Sequence, residues 1–339
     1  MTKYAKTFEH YPEQNPVRFK HFLLTKFNLG LYPSRDYMAR TDKRGLKPAD
    51  DAERWMEHRL RIFEEYCIPS VMNQSNKDFI WLVVFDKNTP DKYRERIDRY
   101  SKDCGVVPLY PTLDFPETSR GDIPEKVDGA WLIWHYRVAL PTVQDYIAQQ
   151  LDSDTEFVIT SRLDNDDAIH SDFVGRVQDF VPAEKPTKPK TLIRLIHKWT
   201  LDRPPKPTSF VNRQIYKVIH GLADRILPEN ARNQDRFAVN FTWGYALEGQ
   251  RVGLFANERN SFVSLIEKRN QAGGLLTVWV TEHRKVNRLA RVMEIDTTPL
   301  WVRVVHERNL LNQFRGEKIP LSKLSATDFG LSPQTIARA

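Results

Sequence analysis

The sequence predicts an α/β protein built on a doubly wound sheet, and three observations carry that expectation. Apolar runs of strand length recur through the first half of the chain. Segments of helical periodicity alternate with them over short connections, the pattern of repeated β-α-β units. The longest run, Phe79 to Phe85, is continuously apolar, as a parallel strand covered on both faces requires. In such sheets ligands bind beyond the carboxyl ends of the strands.

The elements follow in order. His21 to Phe27 is a short strand. Trp55, Arg59, Ile62, Phe63 and Tyr66 recur near helical spacing, with Asp50 or Asp51 as cap and Pro69 near the stop. Phe79 to Phe85 is the next strand and ends in Asp86. Asn88-Thr89-Pro90-Asp91 reads as a turn into a capped helix that runs to about Lys102. Val106 to Tyr110 is a further strand, and Trp131 to Gln149 is helical in pattern with a break or kink at Pro141. Glu156 to Ser161 is strand-like and leads directly into Arg162-Leu163-Asp164-Asn165-Asp166-Asp167, with a helix from Ser171 to Phe180 after it.

Beyond Phe180 the character changes. The proline-rich stretches Pro182 to Lys190 and Arg203 to Pro207 cannot be element interiors. Apolar runs near Leu192-Ile193, Phe237-Ala238-Val239 and Leu275 to Val280 follow, in an order the pattern does not define. Charge changes as well. Residues 1–180 carry 25 Lys and Arg against 30 Asp and Glu, a net of −5, which leaves 26 against 14, a net of +12, for residues 181–339. A basic half of that kind suits an anionic acceptor, a lipid headgroup surface or a nucleic acid, or is a solvated surface alone.

The chain has 339 residues, 40% of them hydrophobic, enough for a sizeable core. No apolar run approaches the ~20 residues of a membrane-spanning helix, and Met1 to Lys6 leads into polar residues rather than a secretory h-region. The cysteines, Cys67 and Cys104, are too few for a Cys-rich zinc site and point to a reducing compartment. Both read as inert thiols. The expected location is cytoplasmic, with peripheral association at the inner face of the membrane as a further option.

The acidic run carries the chemistry. In extended chain, side chains at i and i+2 point the same way, so Asp164 and Asp166 can converge on one site. A hard divalent cation, Mn2+ or Mg2+, needs such oxygen ligands and neutralises charge on a departing diphosphate. Asp167 is placed to cap the following helix or to touch a donor sugar. The alternative is an acidic turn and helix cap with no ligand. Asp86 ends its strand in the same manner, either as a turn residue or as a partner for a base or ribose. Arg162 and Arg137 suit diphosphate oxygens, and Arg162 equally suits a structural pairing with Asp164 or Asp167. Glu267 has the default reading of a surface carboxylate on a helix, and it is the first candidate for a general base.

With these residues assembled, the chain resembles the putative rhamnosyltransferase family of GT-A glycosyltransferases. The matching pieces are His21 to Asn28, Cys67 to Val71 with Gln74, Phe79 to Asp86, and above all Ile159 to Ala168. Asn260 to Phe262, Ser264 to Glu267 and Trp301 to Asn309 follow in order. The resemblance implies a GT-A-like fold and transfer of a sugar, with rhamnose one candidate, from a nucleotide-sugar donor to a glycan, lipid-linked or other hydroxyl acceptor. It implies that Asp164 contacts the donor ribose or the metal, that Asp166 is the principal metal ligand and that His306 joins the same metal. His306 alone would read as a structural histidine, and His283 is a similar case. The corresponding division is an arm over 1–20, a nucleotide-sugar-binding half over 21–181, an acceptor-binding half over 182–310 and a tail over 311–339. Metal dependence and inversion at the anomeric carbon are the expected mechanism.

Two other classes compete. A metal-dependent nucleotidyltransferase would carry a Gly-rich basic loop near its start, whereas Asn28 to Pro33 holds one glycine. A nucleic-acid-binding protein would cluster its basic residues around a recognisable motif, which is absent, so nucleic acid is not an expected partner.

Overall fold

The structure is a computed structural model, and it describes residues 17–29, 31, 52–111, 138–181, 236–269, 274–280, 283–295, 298–306 and 313–338. Twelve strands are described: β1 (Phe19–Lys26), β2 (Ile80–Val84), β3 (Val106–Leu109), β4 (Phe157–Arg162), β5 (Ala168–Ile169), β6 (Arg236–Phe241), β7 (Trp243–Glu248), β8 (Arg251–Ala256), β9 (Ser264–Lys268), β10 (Arg291–Ile295), β11 (Trp301–Val304) and β12 (Glu317–Ile319). The described α-helices are α1 (Ala52–Ile62), α2 (Ile68–Met72), α3 (Asp91–Cys104), α4 (Leu140–Gln150), α5 (Phe173–Gln178) and α6 (Pro333–Arg338). None of them is long and apolar enough to cross a membrane.

The main sheet has the order β10-β6-β9-β4-β1-β2-β3. Strands β4, β1, β2 and β3 are parallel, and β9 runs antiparallel between β4 and β6. The expected α/β class and doubly wound parallel half are therefore present. Because β6, β9 and β10 complete the same sheet, the expected boundary at 181/182 does not divide it. A second sheet, β12-β8-β7-β11-β5, uses residues of the expected tail as its edge strand.

One cluster of buried side chains lies on each face of the main sheet, and residue parity decides which side chain joins which. Leu23, Phe27, Trp81, Val83, Ile159 and Leu163 pack with Phe63 of the first helical segment. Phe22, Leu24, Leu82, Val84 and Val158 pack on the other face with Trp279, Val286 and α4 residues Val143 and Ile147.

Two prolines fall in first turns. A π turn over Phe63–Cys67 links α1 to α2, and the helical stretch ends at Met72, shortly past Pro69. That turn resets the hydrogen-bond ladder, so Pro69 falls in the first turn of α2, where its missing N–H is not needed. Pro141 sits in the first turn of α4, directly after a π turn at Val138-Ala139; residues 131–137, including Arg137, lie outside the described residues. The stretches 182–190 and 203–207 and the run at Leu192-Ile193 lie outside them too.

One further correction concerns the later half: Glu267 is on strand β9, not on a helix. The apolar run Leu275 to Val280, which the pattern leaves undefined, is an irregular segment ending in a 3-10 turn.

Candidate functional site

β1, β2 and β4 are parallel neighbours, so their carboxyl ends form one edge. Asp86 follows β2 and the acidic run follows β4, on either side of β1, and both therefore lie at that edge. The acidic run is also the crossing between the two sheets, since β4 belongs to the first and β5 to the second.

That crossing explains how a distant histidine arrives. β5 pairs antiparallel with β11, Ala168 opposite Val302. Residues just before β5 therefore meet residues just after β11. The Val304 N–H donates to Asp167 Oδ1 at 3.1 Å, and His306 Nε2 lies 3.2 Å from Asp166 Oδ2. His58 from α1 continues the chain, its Nε2 3.2 Å from His306 Nδ1. Arg59, the next residue on α1, donates from Nη1 to Asp166 Oδ2 at 2.6 Å and to Asn165 Oδ1 at 3.1 Å. It stacks on Trp55, 5.5 Å from the ring centroid.

Asp164 and Asp166 do not share these partners. Strand geometry ends at Arg162 and a turn follows at Asn165-Asp166, so the two-residue alternation that would align them is lost. Asp164 instead accepts from its own neighbour Arg162 at 3.0 Å, the structural pairing considered for Arg162. Asn165 secures the turn by donating to the Lys26 and Phe27 carbonyls at 3.0 and 3.2 Å.

Electrostatics separate the carboxylates further. Burial pushes the Asp166 carboxyl up, but the Arg59 guanidinium and the His306 hydrogen bond outweigh it and hold it well below the usual carboxylate range. Burial, with Asp166 and Asp164 nearby, pushes Asp167 well above its ordinary value. Asp167 does not cap a helix, because β5 intervenes before α5 and Asp172 occupies the cap position. Its Oδ2 is buried without a partner among the described residues. The buried Cys67 thiol is pushed well up by burial and by these aspartates, which makes it inert as expected.

Asp86 is buried, and its Oδ1 accepts the Asn88 N–H at 2.8 Å. Asn28 Oδ1 accepts the Asp86 N–H at 2.9 Å. Asp86 thus shapes the strand-end turn from within the edge.

Glu267 is elsewhere. On β9 it stands opposite Val158, near the starting end of β4, and is 1% exposed rather than a surface carboxylate. It accepts backbone N–H groups from Leu276 and Thr277 and pairs with Arg236. That position separates it from the acidic run by most of the length of β4.

A divalent cation finds a partial fit. Two ligands of an octahedral ion at ~2.1 Å lie ~3 Å apart, and the Asp166 and His306 atoms are 3.2 Å apart. Asp164 is engaged by Arg162, and Arg59 shares the Asp166 oxygen. Among the described residues no group of three or more His, Cys, Asp or Glu side chains is arranged to hold a metal. The chain would therefore contribute Asp166 and His306, and the remaining ligands would come from elsewhere.

Three residues of the edge carried no site expectation. Arg59 read only as one position of a helical stripe, and His58 lay off that stripe. Lys26 was one residue of an apolar strand. It ends β1, half-buried, with its Nζ 5.4 Å from the Trp279 ring centroid.

Residues 13–112 match the family described as "Putative rhamnosyl transferase". The resemblance read from the sequence is borne out over that stretch, which holds the pieces from His21 to Asp86 but not the acidic run. A comparison with curated proteins finds no match. Among solved structures the chain is similar to the crystal structure of S. aureus TarS 1-349, with 9% identity and a TM-score of 0.31. The similarity covers 84% of this chain and 60% of that one, so the chain spans less than two thirds of its length.

Proposed function

We propose that the protein is a glycosyltransferase that moves a sugar from a nucleotide-sugar donor to an acceptor hydroxyl. One observation carries the reading: Asp86 and the acidic run stand on either side of β1 at the carboxyl edge of a parallel sheet, where α/β folds bind nucleotides. The family match over residues 13–112 supports the same class, and rhamnose is the first sugar to test.

In this reading Asp86 faces the nucleoside and the 164–166 turn faces the diphosphate. Asp166 and His306 would hold a Mn2+ or Mg2+ ion, which would supply positive charge to a departing diphosphate. Arg59 keeps Asp166 ionised and aimed, and Asn165 fixes the turn. The reaction class we assign is a single displacement with inversion, in which an acceptor hydroxyl attacks the anomeric carbon as the nucleoside diphosphate leaves. The acceptor hydroxyl could belong to a glycan or a lipid-linked carrier, and the basic second half would favour an anionic one at a membrane surface.

The test is a screen of nucleotide-sugars, dTDP-rhamnose included, for thermal stabilisation and for hydrolysis with and without Mn2+. Stabilisation and metal-stimulated release of the nucleoside diphosphate from one donor are expected. A protein unaffected by every donor would refute the reading.

A further inference from the structure

On the α4 face of the main sheet, an irregular segment is pinned from the starting edge toward the carboxyl edge. Glu267 accepts the Leu276 and Thr277 N–H groups at 3.1 and 2.8 Å. Thr160 Oγ1 then accepts the Val278 N–H at 2.8 Å. Thr277, fully buried, is the one described non-glycine residue with positive φ, at 64°. A β-branched residue adopts that conformation only where its surroundings impose it, and such strain gathers at functional sites.

These anchors deliver Trp279 to the carboxyl edge, where it lies beneath Lys26, and His283 Nδ1 lies 3.4 Å from Arg162 Nη1 at the same edge. Lys26 and Arg162 end adjacent parallel strands, and their registers place both on the face of Leu24, which is opposite Arg162. We propose that Lys26 and Arg162 together bind the diphosphate of the donor, and that Glu267 is a positioning residue that lays the 276–280 segment against them. This rests on the glycosyltransferase reading.

The chemistry fits two phosphoryl groups. Lys26 stands diagonally beyond Arg162, whose register partner is Leu24, so on strands ~4.8 Å apart an ammonium and the guanidinium that pairs with Asp164 can each meet one phosphate. Burial and the Arg162 charge together press the Lys26 ammonium down to about 7. Two cations held side by side in this way gain from an anion between them.

The experiment titrates wild type, Lys26→Gln, Lys26→Arg and Glu267→Gln with the common nucleoside diphosphates and the matching nucleosides. Wild type is expected to bind one diphosphate, and Lys26→Gln to bind it about tenfold more weakly, as loss of one charge-assisted contact implies. Nucleoside affinity should be unchanged, and Lys26→Arg should retain most of the diphosphate affinity. Equal diphosphate binding by wild type and Lys26→Gln would overturn the Lys26 assignment and leave the glycosyltransferase reading intact. A wild type that binds no nucleoside diphosphate would overturn that reading and the proposal with it. For Glu267→Gln, a lower ratio of diphosphate to nucleoside affinity is expected. A lower melting temperature with that ratio unchanged would make Glu267 structural only.

Discussion

His306 Nε2 lies 3.2 Å from Asp166 Oδ2 across 140 residues of sequence, and the β5–β11 register brings them together. If this pair holds the metal, His306→Ala and Asp166→Asn should each weaken Mn2+ binding on the order of 100-fold or more. Electron paramagnetic resonance of free Mn2+, with a nucleoside diphosphate present to supply the remaining ligands, measures this. Unchanged binding in both variants, with folding intact, would remove the metal from this site.

Arg59 and Asp166 are 13% and 8% exposed, so they form a largely buried ion pair. Removing one partner leaves the other charge stranded, at a cost of about 3 kcal/mol. Arg59→Met should lose about that much in urea unfolding at pH 7. Asp166 is depressed in the folded state, so its contribution is present above the ordinary aspartate value and lost as pH falls through the folded one. The gap between variant and wild type should therefore narrow as the solution is taken toward strongly acid pH. A constant gap would mean that Arg59 acts through packing on Trp55 instead.

Asp167 behaves in the opposite sense. Its folded-state value is raised, so the stability it contributes is complete in acid and is lost as pH rises toward that value. Asp167→Asn removes the titration and leaves an oxygen for the Val304 N–H. As pH rises above about 4 the variant should gain on wild type by up to ~1.4 kcal/mol per pH unit. A flat difference across that range would show that Asp167 is ionised in the folded protein.

His21 sets the acid limit further back on the same face of the sheet, toward the starting end of β1. Its Nε2 lies 2.7 Å from Ser161 Oγ, and Gln178 reaches Nδ1 at 3.3 Å. The neutral ring satisfies both contacts, and burial takes the imidazole from 6.5 down to about 3. Between those values the unfolded chain binds the extra proton, so stability falls as pH falls, by ~1.4 kcal/mol per unit. His21→Gln should flatten the slope between pH 6 and 4 by that amount. An unaltered slope would mean that the folded protein accommodates a charged ring there.

Strands β1 to β4, helix α3 and the acidic run were legible in the sequence because their signals are local. A continuous apolar run such as Ile80 to Val84 can satisfy its backbone only as a covered strand. A strand ending in aspartates places them at a sheet edge whatever the rest of the chain does. The family resemblance supplied His306, which local pattern left as an ordinary histidine. Glu267 went astray for the same reason, since five residues around it fit a helix or a strand equally. Only the tertiary structure decided which carboxylate meets which cation. Alternation predicts that Asp164 and Asp166 face one way, but a turn at Asn165 sends Asp164 to Arg162 and Asp166 to Arg59 and His306. Arg59 stands 107 residues from its partner. Such pairings depend on strand register, sheet crossing and the two-residue parity that divides one face from the other, and those are properties of elements packed together rather than of any one element's residues.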